Sequence, residues 1–409
     1  MSGGHFAPAA GAGAPDPRRK GMALRGFACQ NVAIGAAFGS FGVAVLPLQA
    51  HYGIGRGMVT LALGLAVAML GLASPLVATL MARFGLRKTM VTGIVLATLG
   101  YVMLAFAPNF EIVLLAYALP VGLGITMFGP FPSSILAGRW FAHNPGPAIG
   151  FVNMPLLVAL VPLATVPLIR DHGLSGLFLA LAAMHVLLLP LALGIDEAPG
   201  TQAGGGGAQP QVPASAILSR PLFWMIATGA GVLHAAGIIG SSHLVAFAVE
   251  RGVPDGQAAI LASTMGGASV IGAFGAGLLC ARIGGALTLA VLALAMGAGW
   301  GLLLLVHDLP SIVAMTLLLG AGGAGVFPAI NVLAGEKFGA AAVARTVGLF
   351  GLATLPFNFG LPPLAGVLHD AARSYDPVVM AIVIACAVVM AIYVVMARLP
   401  ARTRAALPA

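Results

Sequence analysis

Apolar runs of membrane-spanning length follow one another along almost the whole chain, and none carries an Asp, Glu, Lys or Arg at its middle. A helix needs about 20 apolar residues to cross the hydrocarbon core, and in lipid its backbone polar groups must be satisfied internally. Twelve such runs are read at roughly 26–50, 58–81, 90–107, 112–137, 146–169, 175–195, 222–249, 257–280, 286–306, 311–334, 343–367 and 377–397. Charge excludes a soluble fold: 7% of the 409 residues are charged against 60% hydrophobic, too few to cover a core of this size. The sequence predicts an all-α membrane protein of twelve transmembrane helices.

The longest break, 196–220, holds Gly204–Gly207 and several prolines, the composition of a flexible linker. It separates an N-terminal half, 26–195, from a C-terminal half, 221–398. A Gly, Ala and Pro-rich tail, 1–25, is expected to be disordered, and a short tail, 399–409, closes the chain. Ala78–Thr89 aligns without a gap on Gly277–Thr288, with Arg83 on Arg282, Gly85 on Gly284 and Thr89 on Thr288. The two halves therefore read as one six-helix bundle written twice. Of the 19 cations, all but Arg56, Arg170, Arg251 and Arg373 fall on the side of the termini and linker. The positive-inside rule puts that side, with both termini, in the cytoplasm of a plasma membrane, the inner membrane if the cell is bacterial. The +8 balance is thus topology, and no nucleic-acid partner is expected. Cys29, Cys280 and Cys386 sit inside apolar runs without metal or disulfide spacing. Ser133 and Ser134 lack the setting of a nucleophile, and no phosphate-binding loop is present, so neither an enzyme nor a cofactor is expected.

The loop Arg83-Phe84-Gly85-Leu86-Arg87-Lys88 resembles the hallmark loop between the second and third helices of the major facilitator superfamily. Arg83, Gly85, Arg87 and Lys88 match it, with Arg282 and Gly284 in the second copy; the aspartate is replaced by Ala82 and Ala281. Phe41-Gly-Val, Tyr52-Gly-Ile-Gly-Arg56, Arg139-Trp-Phe, Pro221-Leu-Phe-Trp224, His243-Leu and Gly360-Leu-Pro-Pro-Leu-Ala-Gly366 are similar to the monocarboxylate-transporter-like branch. The resemblance implies two six-helix halves around a central cavity, alternating access by rocking, and a cavity lined by the first, fourth, seventh and tenth helices. It also implies a gating role for the loop residues. Carboxylate transporters of that branch carry an arginine after a glycine in the eighth helix; here Gly272 is followed by Ala273.

With no membrane charge available, neutral polar groups are the candidates for substrate contact. His234 lies near mid-membrane in the seventh run, and His243, nine residues on, falls on its opposite face at 100° per residue. Asn331 and Asn358 each offer a donor and an acceptor, as do Gln30, Asn31 and Asn153. All of these also read as packing groups or helix–helix glue. Phe38 and Phe128, with Phe41, Phe131 and Phe357, form a candidate apolar wall. His185 is read as a packing residue in a peripheral helix. Pro130 and Pro132 in the fourth run, matched by Pro328 in the tenth, predict interruptions at corresponding places. The expected function is movement of a small organic anion, monocarboxylate or aromatic-acid-like, by a monomeric symporter or facilitator with the proton as candidate co-substrate. An exporter of hydrophobic compounds is the alternative among transporters, and a non-transporting membrane sensor the alternative of another class.

Overall fold

A computed structural model describes residues 16–54, 56–198, 212–253 and 255–398, and among them every regular element is helical. By length and apolarity nine of these helices can cross a membrane, or ten if the bent pair Leu61–Leu72 and Ser74–Phe84 is one span. Leu156–Leu193 and Asp255–Leu303 are each two helices joined at a glycine of positive φ, Gly173 (φ 67°) and Gly284 (φ 80°). Gly85 (φ 87°) makes the same junction in the first half. Only glycine enters that region without strain, which explains why the repeated loop keeps this residue while its aspartate is absent.

Several sequence boundaries move. The first helix begins at Arg18, inside the tail expected to be disordered. Asp196, Glu197 and Ala198, assigned to the linker, pack against the bundle, and Ala214–Leu218 is a short helix with Ile217 buried. Gly204–Gly207 and the C-terminal tail lie outside the described residues.

The matching interruptions occur at a different place from the one expected. The fourth segment does break, at Gly129 before Pro130, but Leu309–Phe338 runs unbroken through Pro328. The pair that does correspond lies in the fifth and eleventh segments. Asn153-Met-Pro155 interrupts the first, and the single turn residue Thr354, with Pro356 opening the helix after it, interrupts the second. Each proline lacks the N–H that would bond one turn back, so carbonyls are freed there. Asn31 repairs the first break: its Nδ2 donates to Phe27 O (3.0 Å) and Met154 O (2.9 Å), and its Oδ1 accepts from Leu157 N (2.9 Å). Asn153 Nδ2 donates to Ser134 Oγ (2.8 Å) and Ile149 O (2.8 Å). Both asparagines are therefore structural. Where the tenth segment starts, the Asp308 side chain caps the helix through Ser311 N (2.9 Å), a bond that holds its carboxyl below the usual carboxylate range.

The halves meet along two seams of small residues. In one, a Cβ placed on Gly146 would stand 2.5 Å from Gly277 O, and one on Gly150 would stand 2.9 Å from Ala273 O. In the other, a Cβ on Gly348 would meet Ser74 O at 3.0 Å and one on Gly351 would meet Ser74 Oγ at 2.7 Å. Arg345 Nη1 donates to Thr79 Oγ1 (3.3 Å) beside the second seam. These approaches lie in the part of the bundle nearer the termini. Toward the opposite face Gly64 would only touch the ring of Phe359, at 3.6 Å. The bundle is thus closed on its terminal face.

That closure predicts the effect of bulk. Gly146→Leu should force the seam apart and expose Cys280, which is buried beside it; the other two cysteines, Cys29 and Cys386, are buried elsewhere. Maleimide labelling of Cys280 should rise about tenfold, the effect of a shift of about 1.4 kcal/mol between closed and open forms. Gly275→Leu, which meets open space, should leave labelling unchanged. Equal labelling of both folded variants would contradict the seam.

Candidate functional site

The seventh segment, Pro221–Glu250, separates the two candidate histidines by environment as well as by face. His243 is engaged on both ring nitrogens: Nε2 lies 3.2 Å from Pro362 O and Nδ1 lies 3.3 Å from Tyr375 Oη. A carbonyl oxygen only accepts, so Nε2 carries the proton and Nδ1 accepts from the tyrosine hydroxyl. Tyr375 also packs against His369 (ring centroids 4.2 Å), whose Nε2 lies 3.1 Å from Glu250 Oε2. His243 thus ties the seventh, eleventh and twelfth segments together at the face away from the termini. His234 makes no hydrogen bond among the described residues and is half-buried.

One turn before His234, Gly231 lets the Phe357 ring press on the helix backbone, and Asn358 follows Phe357 just beyond the Pro356 break. Asn358 is half-buried, and its Oδ1, shielded from solvent, has no protein partner. Two turns beyond His234, Ser241 is exposed, with Oγ donating to Ile238 O (2.8 Å). His234, Ile238 and Ser241, spaced three and four residues apart, share one helix face. Sequence reasoning missed Ser241; its helical spacing from His234 was the available signal. On the opposite half, Gln30 is buried with an unpartnered Oε1. Unpaired buried polar atoms are rare and mark places where a ligand or water completes the bonding.

The remaining candidates are placed elsewhere. Asn331 is buried, donating Nδ2 to Phe327 O (2.8 Å), with Oδ1 unpartnered, two turns from the terminal end of its helix. Phe38 is half-buried against the core. Phe128 is fully buried with its ring edge-on to His185 (5.6 Å), which also faces Tyr101 (5.0 Å), so it packs the interior of the first half and does not line a cavity. Ala273 is 1% exposed and faces the Gly150 seam.

On the terminal face the loop residues are mostly exposed: the Arg83 guanidinium lies over the Phe84 ring (5.2 Å), and Lys88 and Arg282 are exposed. Each glycine junction receives a carboxylate from a distant segment. Glu197 Oε1 accepts from Leu86 N (2.8 Å) and Oε2 from Arg139 Nη1 (2.7 Å). Glu336 Oε1 accepts from Gly285 N (3.0 Å). A negative charge at a helix N-terminus complements its orphan N–H groups and dipole. Asp196 lies 3.9 Å from Arg87 Nη1 and 3.8 Å from Arg18 Nη1, while its carbonyl accepts from Trp140 Nε1 (2.9 Å). Sequence reasoning missed these acids, though their rarity on a face crowded with cations was a signal.

Comparison with known proteins agrees with this architecture. The Major Facilitator Superfamily profile matches residues 27–353. Monocarboxylate transporter 4 of Rattus norvegicus is 29% identical over 230 residues, 54% of this chain and 48% of that protein. The chain thus spans about half the length of that relative. Monocarboxylate transporter 11 of Homo sapiens is 28% identical over 340 residues, 80% of this chain and 66% of that protein. The E. coli fucose:proton symporter FucP has a similar fold, with a TM-score of 0.70 at 17% identity, covering 92% of this chain and 98% of that one. The proton:xylose symporter XylE gives 0.69 at 15% identity, over 94% and 96%. With the profile spanning most of its length and the fold to match, the chain belongs to the Major Facilitator Superfamily.

Proposed function

We propose that this protein is a secondary transporter that moves a small organic anion across the plasma membrane by alternating access, with a proton as co-substrate. Twelve spans in two halves, both termini in the cytoplasm, are the topology this reading requires, and the cation asymmetry supports it. The state described is then outward-facing: the terminal, cytoplasmic face is closed by the two seams. A FucP structure of similar fold carries the description "in the outward conformation". The monocarboxylate transporters among the relatives support the anion class.

The observation that carries the reading is His234, a half-buried imidazole midway along the seventh segment with no protein partner. An uncompensated polar group costs free energy in a membrane interior, so it is retained where something else binds it. An anion beside an imidazole and a proton on that imidazole strengthen each other, and the linkage is reciprocal. His243 is already spoken for by Pro362 and Tyr375 and serves the helix packing.

Uptake of a radiolabelled monocarboxylate into proteoliposomes between about pH 5 and 8, the range in which histidine titrates, tests this division. His234→Gln should flatten the pH profile. His243→Gln should keep the profile and lower thermal stability. A flattened profile in His243→Gln alone, or a wild-type profile in both, would sink the assignment.

A second expectation concerns charge. With Ala273 in the seam, no permanent cation anchors the carboxylate, so above the range in which histidine titrates recognition rests on neutral groups. At about pH 8 the preferred acid should therefore bind less than about tenfold more tightly than its neutral isostere, a difference below about 1.4 kcal/mol. A larger preference in a thermal-shift titration at that pH would show a permanent ionic anchor and overturn this expectation.

A further inference from the structure

On the terminal face, on a different side of the fifth segment from its seam glycines, a cleft of about 440 Å³ opens between the start of the first helix and the turn joining the fourth and fifth segments. Its volume is that of a small-molecule site. Arg19 and Ala23 form one wall, Trp140, Phe141 and His143 another, and Ala148 and Phe151 of the fifth segment a third. At its inner end Phe27 stacks on Phe151 (centroids 4.9 Å). The Arg19 guanidinium is held over the Phe141 ring (5.3 Å) and has no carboxylate or carbonyl partner among the described residues. His143 and Asn144 are likewise without a side-chain hydrogen bond, and Asn144 leaves the helix that starts at Pro145 uncapped. No acid lines the cleft. The nearby acids are engaged elsewhere: Asp16 holds Arg18 (2.9 Å), and Asp196 faces Arg18 and Arg87.

These are the parts of an oxyanion site left incomplete by the protein: an unpaired, aromatic-braced guanidinium, an imidazole and an amide around one concavity. The surroundings say which oxyanion. Leu24, beside the lining residue Ala23, is 59% exposed, as a side chain in contact with acyl chains would be. Trp140 and Phe141 sit at the helix ends, where aromatic side chains mark the membrane interface. Basic pockets between helices at that level bind anionic headgroups. We propose that this cleft binds the phosphate of an anionic phospholipid from the leaflet on the terminal side, with Arg19 as its principal contact and His143 and Asn144 beside it.

The test uses the full chain purified in detergent and native mass spectrometry with phosphatidylglycerol, phosphatidylcholine or soluble glycerol phosphate added. Phosphatidylglycerol should be retained with saturable one-to-one stoichiometry, and Arg19→Gln should weaken retention about tenfold or more. His143→Glu, an exposed position that tolerates change, should weaken it similarly by placing like charge in the cleft, and decides the matter if Arg19→Gln does not fold. Lys20→Gln, adjacent but outside the lining, should have no effect. Equal retention in wild type and His143→Glu, or equal retention of phosphatidylcholine, would overturn the proposal. So would full competition by glycerol phosphate, which would make the cleft a site for free phosphate esters.

Discussion

Backbone-to-backbone contact between the halves is the constraint on which the rest depends. Lipid tails are as apolar as leucine, so no hydrophobic force drives one membrane helix onto another; close van der Waals contact must do it. That contact requires small residues, and the chain supplies them twice. In the gapless alignment of the repeat Ser74 stands where Ala273 stands, and Gly351 precedes Pro356 by five residues as Gly150 precedes Pro155. The seam of Gly150 with Ala273 and the seam of Gly351 with Ser74 are therefore one contact repeated about the pseudo-symmetry of the halves. The proline breaks follow the same rule, since Pro155 and Pro356 lie a little beyond Gly150 and Gly351 on the same segments. Each tight contact thus lies beside a helix break on the same segment.

What the sequence made legible was what lipid dictates locally. The helical, membrane-spanning character of the chain and the glycine junctions at Gly85 and Gly284 follow from composition and spacing, because each is settled locally. The helix breaks were half legible. Proline announces a possible interruption, but Pro328 sits inside an intact helix while Pro130 and Pro155 do not. At Pro155 a distant group arrives to satisfy the freed backbone. Asn31 reaches the fifth segment across more than 120 residues of chain, and no local pattern encodes that meeting. Glu197 and Arg139, paired 58 residues apart, are illegible for the same reason.

The histidines show the same limit in the site. Helical periodicity places His234 and His243 on opposite faces, which is correct geometry but leaves open which face meets the cavity. Their partners distinguish them: Pro362 and Tyr375 claim His243, and no described residue hydrogen-bonds His234. Phe128 fails as a wall residue because periodicity does not say that His185 lies across from it.

The seam also bears on recognition. Ala273 is buried, with its carbonyl facing the Gly150 seam, so at this level the chain has a tight seam in place of a charged anchor. On the proposed reading a carboxylate must then be held by neutral donors. Hydrogen bonds to a charged group contribute about 1.5–3 kcal/mol each, and millimolar affinity corresponds to about 4 kcal/mol. Two or three groups of the kind found at His234, Ser241 and Asn358 are of the right order, once part of that sum is spent on immobilising the ligand. A carrier gains from such weakness. An arginine ion pair at mid-membrane would have to be broken at every release, whereas on the proposed reading neutral contacts, and an imidazole that can give up its proton, let the substrate leave when the seams part.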